Sequence, residues 1–323
     1  MRDTSAYIAD TYALGAGPWT MTPVARGALG QIWKLSGNGT AWAVKELLFE
    51  EGEPDVRAEA ALLGAAEPLG ISAPRLMADR TGAHAVRLPE GSWVKLYDWV
   101  DGSEADPSDP EILSWCGRTL ALLHEAGEGT DEAPSGWYEE SPGDAEWAGL
   151  LEEVDRAGLP WAWELERFIA TTAVELGQHV SPSTPGDVLL SHLDLRPQNV
   201  LVGAGGPVLL DWDNAGAVSA ERELARALYV WCGGNDFDAE AARRLVRPYR
   251  DAGGRAVVKG MDAFSMLFAT DLNYVHVQAA CAVDPRVTEE QRDFGGREAV
   301  AKLRSLPDPE STARLAEAVA AEW

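Results

Sequence analysis

Basic residues are scarce in this sequence. It holds 27 Lys and Arg against 52 Asp and Glu over 323 residues, a formal net charge of -25. A surface of that sign repels nucleic acid and anionic membranes, so neither is an expected partner. It would attract a cationic partner or substrate only where acids gather near a site. Spread over the surface, the excess is a solubility device. Cysteine is scarcer still. Cys116, Cys232 and Cys281 lie far apart with no CxxC pair, which excludes a disulfide framework or a structural zinc site. Each sits in an apolar, helix-like context and is expected to be a buried, inert thiol. No apolar run approaches the length of a membrane span. Met1-Arg2-Asp3-Thr4-Ser5 lacks the basic region, apolar core and cleavage site of a secretory leader. The expectation is a soluble, cytoplasmic protein.

What is present points to a globular chain. Hydrophobic residues make up 46% and charged residues 24%, enough for a large core and not a disordered composition. Residues 20–48 read as strands, with turns at Gly27-Ala28-Leu29-Gly30 and Ser36-Gly37-Asn38-Gly39. Asp55 to Leu69 reads as a helix, because Ala58, Ala61, Leu62 and Ala65 fall at helical spacing. Gly70 ends it and Pro74 follows. Ala83 to Leu88 and Trp93 to Val100 read as two further strands. Ser103 to Pro110, acidic and proline-containing, reads as a hinge or linker.

Beyond that the character changes. Glu111 to Ala126 is an amphipathic helix with Leu113, Cys116, Leu120 and Leu123 inward. Residues 127–146 form a polar loop. Helices follow near 146–157 and 161–179. Short apolar pieces at 188–190, 200–202 and 208–210 precede helices at 221–232, 238–252, 257–281, 288–305 and 308–321. The fold class is α+β, with a small strand-rich lobe over 1–100, a larger helical lobe over 101–323, and a ligand cleft expected between them.

One stretch carries chemistry: His192-Leu193-Asp194-Leu195-Arg196-Pro197-Gln198-Asn199, followed by Asp211-Trp212-Asp213. Phosphoryl transfer from a nucleotide needs a carboxylate to hold and deprotonate the acceptor hydroxyl. It also needs oxygen ligands for magnesium, a cation on the phosphates and a backbone loop over them. Asp194 is the candidate base. Asn199 offers a neutral oxygen to a hard metal ion. A hairpin would bring Asp211 back beside Asn199 as the second metal ligand. Asp213, two residues on, takes a secondary metal role or a structural one. His192 is assigned to scaffolding, bonding the loop backbone to hold Asp194 in place.

His192-x-Asp194 with Asn199 and then Asp211 resembles the catalytic loop and metal motif of the aminoglycoside phosphotransferase family, small-molecule kinases of protein-kinase-like fold. The match is sharp from Leu190 to Asp213. The resemblance implies a two-lobe kinase-like fold, ATP (or GTP) and Mg2+ as cofactors, and transfer of the γ-phosphate to an alcohol. It implies that Lys45, in Ala43-Val44-Lys45, contacts the α- and β-phosphates, and that Glu59 orients Lys45 by an ion pair. Ala43 would line the base pocket. The connector from Leu96 to Val100, with Tyr97 and Trp99, would read the base edge. Leu122-Leu123-His124 resembles the end of the family's first helix in the larger lobe, with His124 structural.

The sequence departs from the family in several places. Gly27-Ala28-Leu29-Gly30 is a poor phosphate loop. Leu193 replaces the usual glycine. Arg196 replaces a frequent histidine and could contact phosphate or pair with a nearby acid. Glu223 stands where an aspartate is usual and would bond the catalytic loop.

The acceptor is less legible. Asp271, Asn273, Tyr274 and His276 share a helix with Phe264 and Phe268. Asp144, Glu146, Trp147, Trp161 and Trp163 lie before the motif. Aromatic faces beside carboxylates suit an aminated sugar; for any one of these residues the plainer reading, a core aromatic or a solvated acid, is favoured. The leading expectation is a kinase of a small, amine-bearing or sugar-like molecule, such as an aminoglycoside or amino sugar, acting in antibiotic inactivation or in metabolism. Choline or homoserine kinase, a protein kinase and a non-catalytic nucleotide-binding regulator are the alternatives. The absence of an A-P-E segment after Asp211 argues against the protein kinase.

Overall fold

The computed structural model describes residues 4–26, 30–47, 52–184 and 186–323. In chain order the elements are α1 (Thr4–Thr11), β1 (Thr20–Arg26), β2 (Gly30–Gly37), β3 (Thr40–Leu47), α2 (Glu53–Ala66), β4 (Ala85–Arg87), β5 (Trp93–Asp98) and β6 (Ser103–Glu104). Then come α3 (Pro110–Ala126), α4 (Gly136–Glu139), α5 (Asp144–Arg156), α6 (Ala162–Phe168), α7 (Val174–Gly177), β7 (Val188–Ser191), β8 (Val200–Gly203), β9 (Gly206–Leu209) and β10 (Gly216–Ser219). The chain ends in α8 (Ala220–Trp231), α9 (Ala239–Asp251), α10 (Ser265–Val283), α11 (Glu289–Leu303) and α12 (Pro309–Val319). The class is α+β, strand-rich first and helix-rich after, as the residue pattern implies.

Two compact units divide the chain. One comprises Met1–Asp106 with Ser191–Gly216; the other comprises Pro107–Leu190 with Ala217–Trp323. A single boundary near residue 100 does not describe this division. The reason is local pairing: Ser103 lies opposite Val202 and Glu104 opposite Leu201, so the 191–216 segment joins the strands that precede it. Ser103 to Pro110, read as a linker, therefore begins as a strand.

In the first unit a five-stranded sheet runs in the order β1-β2-β3-β5-β4. The two-residue turn between β2 and β3 uses Asn38 (φ 52°) and Gly39 (φ 74°), the left-handed pair that matches strand twist in a tight hairpin. Ile8, Tyr12, Trp19, Leu35, Val44, Val94 and Leu96 form a core on this sheet. Helix α1 supplies Ile8 and was not foreseen; at eight residues it is too short for periodicity to reveal. Helix α2 runs into a 3-10 turn and stops at Gly70 (φ 84°), the residue expected to end it.

In the second unit α3 packs on α9. The approach is tight at Gly117, where a Cβ would meet the Leu245 carbonyl oxygen at 2.1 Å, so no larger residue fits. Helix α10 buries Phe268, Leu272 and Val275. Helices α6 and α7 are one continuous stretch interrupted by a π turn over Ile169–Ala173, where an unbroken helix was expected. The loop 127–146 contains α4, held from its N-terminus by the Ser135 side chain. Strand β10 pairs with β7. No helix among the described residues is long and apolar enough to cross a membrane.

Candidate active site

The site is built on a hairpin and the turn that precedes it. β8 and β9 pair antiparallel, Val200 opposite Leu209 and Gly203 opposite Gly206. The pairing continues one step further, with the Leu210 N–H donating to the Asn199 carbonyl at 2.8 Å. The apolar triplets on either side of Gly203 to Pro207 thus set Asn199 beside the approach to Asp211.

Asp194 is buried. The Asn199 Nδ2 donates to the Asp194 carboxylate at 2.8 Å and to the Asp194 carbonyl at 2.9 Å. Both acceptors require the amide nitrogen, so Oδ1 is the remaining side-chain atom of Asn199. It is the neutral oxygen the sequence proposed for a metal. The Arg196 guanidinium lies 3.2 Å from the same Asp194 carboxylate, which is the nearby acid considered for it.

His192 is scaffolding in its contacts. Its Nε2–H donates to the Leu210 carbonyl at 3.0 Å, and its Nδ1 accepts the Asp194 backbone N–H at 3.3 Å. The ring stands edge-on to Trp212, 4.9 Å between centroids. With both nitrogens used in this way, His192 ties the residue after the hairpin to the backbone of Asp194.

Two residues of this segment occupy the left-handed region: Leu193 (φ 64°) and Asp211 (φ 63°). Aspartate tolerates that conformation; leucine does so at a cost of about 1–2 kcal/mol. This explains why glycine is usual at position 193 in the family. Leu193 offsets the strain by burial, at 1% exposure. The room for it comes from Gly216, where a Cβ would lie 3.1 Å from Leu193 Cδ1.

The nucleotide-lysine candidate is where strand logic put it, but its partner is not. Lys45 on β3 is buried and paired with two carboxylates, Asp211 and Asp213. Burial opposes its charge; Asp213 and then Asp211 outweigh burial and raise its pKa above the ordinary value. The expected Lys45–Glu59 ion pair is not formed. Glu59 instead accepts from Lys95 at 2.7 Å and from the Tyr97 hydroxyl at 2.7 Å. The cause is register: Lys95 on β5 sits directly opposite Lys45, and it takes the helix carboxylate. Burial raises the Glu59 carboxyl pKa, with Lys95 opposing that rise. Asp213 moves the other way. Burial would raise it, but Lys45 and Lys95 together hold it below the usual carboxylate range.

The base-reading candidates separate. Ala43 lies opposite Tyr97 in the β3–β5 register. The Tyr97 hydroxyl is committed to Glu59 and, at 3.2 Å, to Asp213, so its side chain belongs to the carboxylate network. Trp99 donates to Asp101 at 2.7 Å, and Lys34 lies 4.1 Å from its ring centroid. The phosphate-loop candidate Gly27-Ala28-Leu29 lies outside the described residues.

The acceptor candidates on α10 are occupied by structural partners. Asp271 pairs with Lys302 at 2.7 Å. Asn273 donates to the carbonyls of Trp137 and Glu140 at 2.9 and 2.7 Å, closing the end of α4. Tyr274 donates to Glu298 at 2.8 Å, and His276 stands edge-on to Trp147. Glu146 caps the start of α5 through the Gly143 N–H at 2.8 Å. Trp147 and Trp161 are buried, whereas Trp163 is 57% exposed. Glu223 bonds His124 at 2.9 Å, and the other His124 nitrogen meets the Tyr249 hydroxyl at 2.9 Å.

Sequence reasoning missed Lys95. A signal was available: among five lysines, one stands inside the apolar run Trp93-Val94-Lys95-Leu96-Tyr97, where an unpaired charge would be prohibitive. Two hard oxygen donors, on Asn199 and Asp211, suit magnesium rather than zinc. Among the described residues no group of three His, Cys, Asp or Glu side chains could hold a metal ion.

A strand lysine, a hydrogen-bonded Asp–Asn pair and a post-hairpin aspartate, on a β-rich unit followed by helices, define the kinase-like phosphotransferase class. The chain belongs to the phosphotransferase enzyme family known as APH, whose model matches residues 20–261. Among known proteins, it is 32% identical over 165 residues to a homoserine kinase of Beijerinckia indica subsp. indica, a match covering 50% of this chain and 49% of that one. The chain thus spans about half the length of the curated relatives it matches. In fold it is similar to the spectinomycin phosphotransferase APH(9)-Ia, solved with ADP and spectinomycin, with TM-score 0.62 and 15% identity over 92% of both chains. It is also similar to a choline/ethanolamine kinase family protein from Mesorhizobium loti, with TM-score 0.57 and 14% identity over 98% of both chains.

Proposed function

We propose that this protein is an ATP- or GTP-dependent kinase that moves the γ-phosphate to the hydroxyl of a small, amine-bearing alcohol. One observation carries the reading: the Asp194 carboxylate is held by the Asn199 amide, and Asn199 is hydrogen-bonded to the strand that leads into Asp211. In this reading Asp194 orients and deprotonates the acceptor hydroxyl, a role that needs an ionised, fixed carboxylate. Lys45 leaves Asp211 for the phosphates. Asn199 and Asp211 would hold magnesium, which supplies neutralisation of phosphate charge when bound. Arg196 stands beside the Asp194 carboxylate as its ion-pair partner. Ala43 and Trp99 would flank the base.

The acceptor class draws on the relatives. Homoserine, choline and ethanolamine each pair a hydroxyl with a cationic nitrogen, as aminoglycosides do. The sequence-level relative makes homoserine the first acceptor to test, ahead of the aminoglycosides and amino sugars favoured on the motif alone. The test is ADP (or GDP) release over homoserine, choline, ethanolamine, aminopropanol, amino sugars and aminoglycosides, with magnesium. Turnover with an amine-bearing alcohol that disappears in Asp194→Ala supports the proposal. Nucleotide binding with no transfer to any of them would favour a non-catalytic regulator.

A further inference from the structure

Lys45 and Lys95 are opposed across the β3–β5 pair. Two like charges in that position repel unless an anion stands between them. Asp213 is that anion. Its Oδ1 lies 2.8 Å from Lys95 Nζ, while its Oδ2 pairs with Lys45. The side chain of Asp213 is 3% exposed and that of Lys95 is 0% exposed. Lys95 therefore cannot reach a nucleotide, and Asp213, with both oxygens committed, is not a free metal ligand. On the far side Lys95 is held by Glu59 at 2.7 Å, and the Tyr97 hydroxyl braces both Glu59 and Asp213.

The two carboxylates on Lys45 are not equivalent. The Asp211 side chain is 35% exposed and open to exchange; Asp213 is enclosed. One contact can be released while the other stays.

We infer that Lys95 is a positioning residue for the nucleotide lysine: it fixes Asp213, Asp213 fixes Lys45, and Glu59 acts on Lys45 only through this relay. The inference rests on the proposed phosphate role of Lys45. It extends the site to Lys95 and Asp213, and it gives Glu59 a different partner from the one the family resemblance implies. Loss of the relay leaves Lys45 present but unaimed, so affinity for phosphates falls while affinity for the base does not.

The test measures binding of magnesium–AMP-PNP and of adenosine by calorimetry. If the wild type takes guanine, GMP-PNP and guanosine replace them. Four proteins are compared: wild type, Lys45→Met, Asp213→Asn, and the charge-balanced double variant Glu59→Gln/Lys95→Met. The double variant removes one cation and one anion together, and Asp213→Asn provides a second route should the double variant not fold. The expected result is at least tenfold weaker AMP-PNP binding in Asp213→Asn and in the double variant, with adenosine unchanged. Wild-type AMP-PNP affinity in the double variant overturns the relay. So does an equal loss of adenosine and AMP-PNP, which marks general damage to the sheet. If Lys45→Met itself binds AMP-PNP like the wild type, the phosphate role of Lys45 fails, and the relay with it. If Lys45→Met loses affinity and the other two do not, only the relay fails.

Discussion

The two compact units both bury ions, but they connect them differently. In the second unit the ion pairs are closed. Arg222 donates to Glu139 at 3.0 Å, and Glu139 in turn accepts from the Ser183 hydroxyl at 2.6 Å; Arg222 also reaches the Pro182 carbonyl. Asp271 and Lys302 join α10 to α11. Each such pair ends on protein at both sides. In the first unit the ions run in a series, Glu59 to Lys95 to Asp213 to Lys45, and the last member touches the half-buried Asp211. A closed pair can only hold a scaffold. A series with one open end can exchange its last partner for a ligand. Buried ion pairs are weak evidence for stability by themselves; what distinguishes function here is whether the pairing has an exit.

The sharpest way to break that comparison lies in the first unit, at the proposed base. Asp194→Ala should lower phosphoryl transfer by about 10²–10⁴-fold, the usual range for a lost general base, while the melting temperature barely moves. Coupled ADP release and a thermal melt read both quantities. In the second unit the balance should reverse. Arg222→Met removes the guanidinium from Glu139, which keeps the Ser183 hydroxyl, and should cost about 2–3 kcal/mol of stability in urea unfolding. Turnover per folded molecule should stay near wild type. A large kinetic loss in Arg222→Met would erase the distinction between the two regions.

A smaller effect is expected beside the motif. Gly216→Ala should cost about 1–3 kcal/mol, because its methyl meets Leu193 Cδ1 in a packed site. In a Leu193→Ala background the same change should cost less than half as much, since the opposing methyl is gone; a double-mutant cycle measures the coupling. The smallest effect concerns the thiols. Burial pushes the Cys232 thiol up to about 12 and raises Cys116 well above the ordinary value. The reactive species is the thiolate, so a raised pKa leaves less of it at pH 8. A disulfide reagent at pH 8 should therefore label the native protein only at the partly buried Cys281, slowly, and all three sites after denaturation.

Local chemistry made much of this legible. The Asn38-Gly39 turn, the Gly70 stop and the apolar triplets around 200–210 each follow from residue preferences within a few positions. The scaffolding contacts of His192 follow as well, because its partners lie in the same short motif. Glu59 was misread because its partner is decided by strand register. The sequence contains Lys45 and Lys95 alike, and only the β3–β5 pairing shows which of them takes the helix carboxylate. The candidates on α10 stayed open for a related reason. Acids and aromatics on a helix look the same whether they face a ligand or another helix, and here Lys302, Glu298, Trp147 and the end of α4 supply the partners. Helix α1 was missed because a single turn or two leaves too few positions for a period.

The backbone at Leu193 has a consequence for how such chains are found. Position 193 demands a positive φ, and glycine is only the cheapest way to meet it. A search pattern that writes glycine between the histidine and the aspartate mistakes a dihedral requirement for a residue requirement. It would pass over any chain that, like this one, accepts the strain and empties the facing position to make room. A better pattern would let the two positions vary together: a glycine at one of them, with the other free to be large.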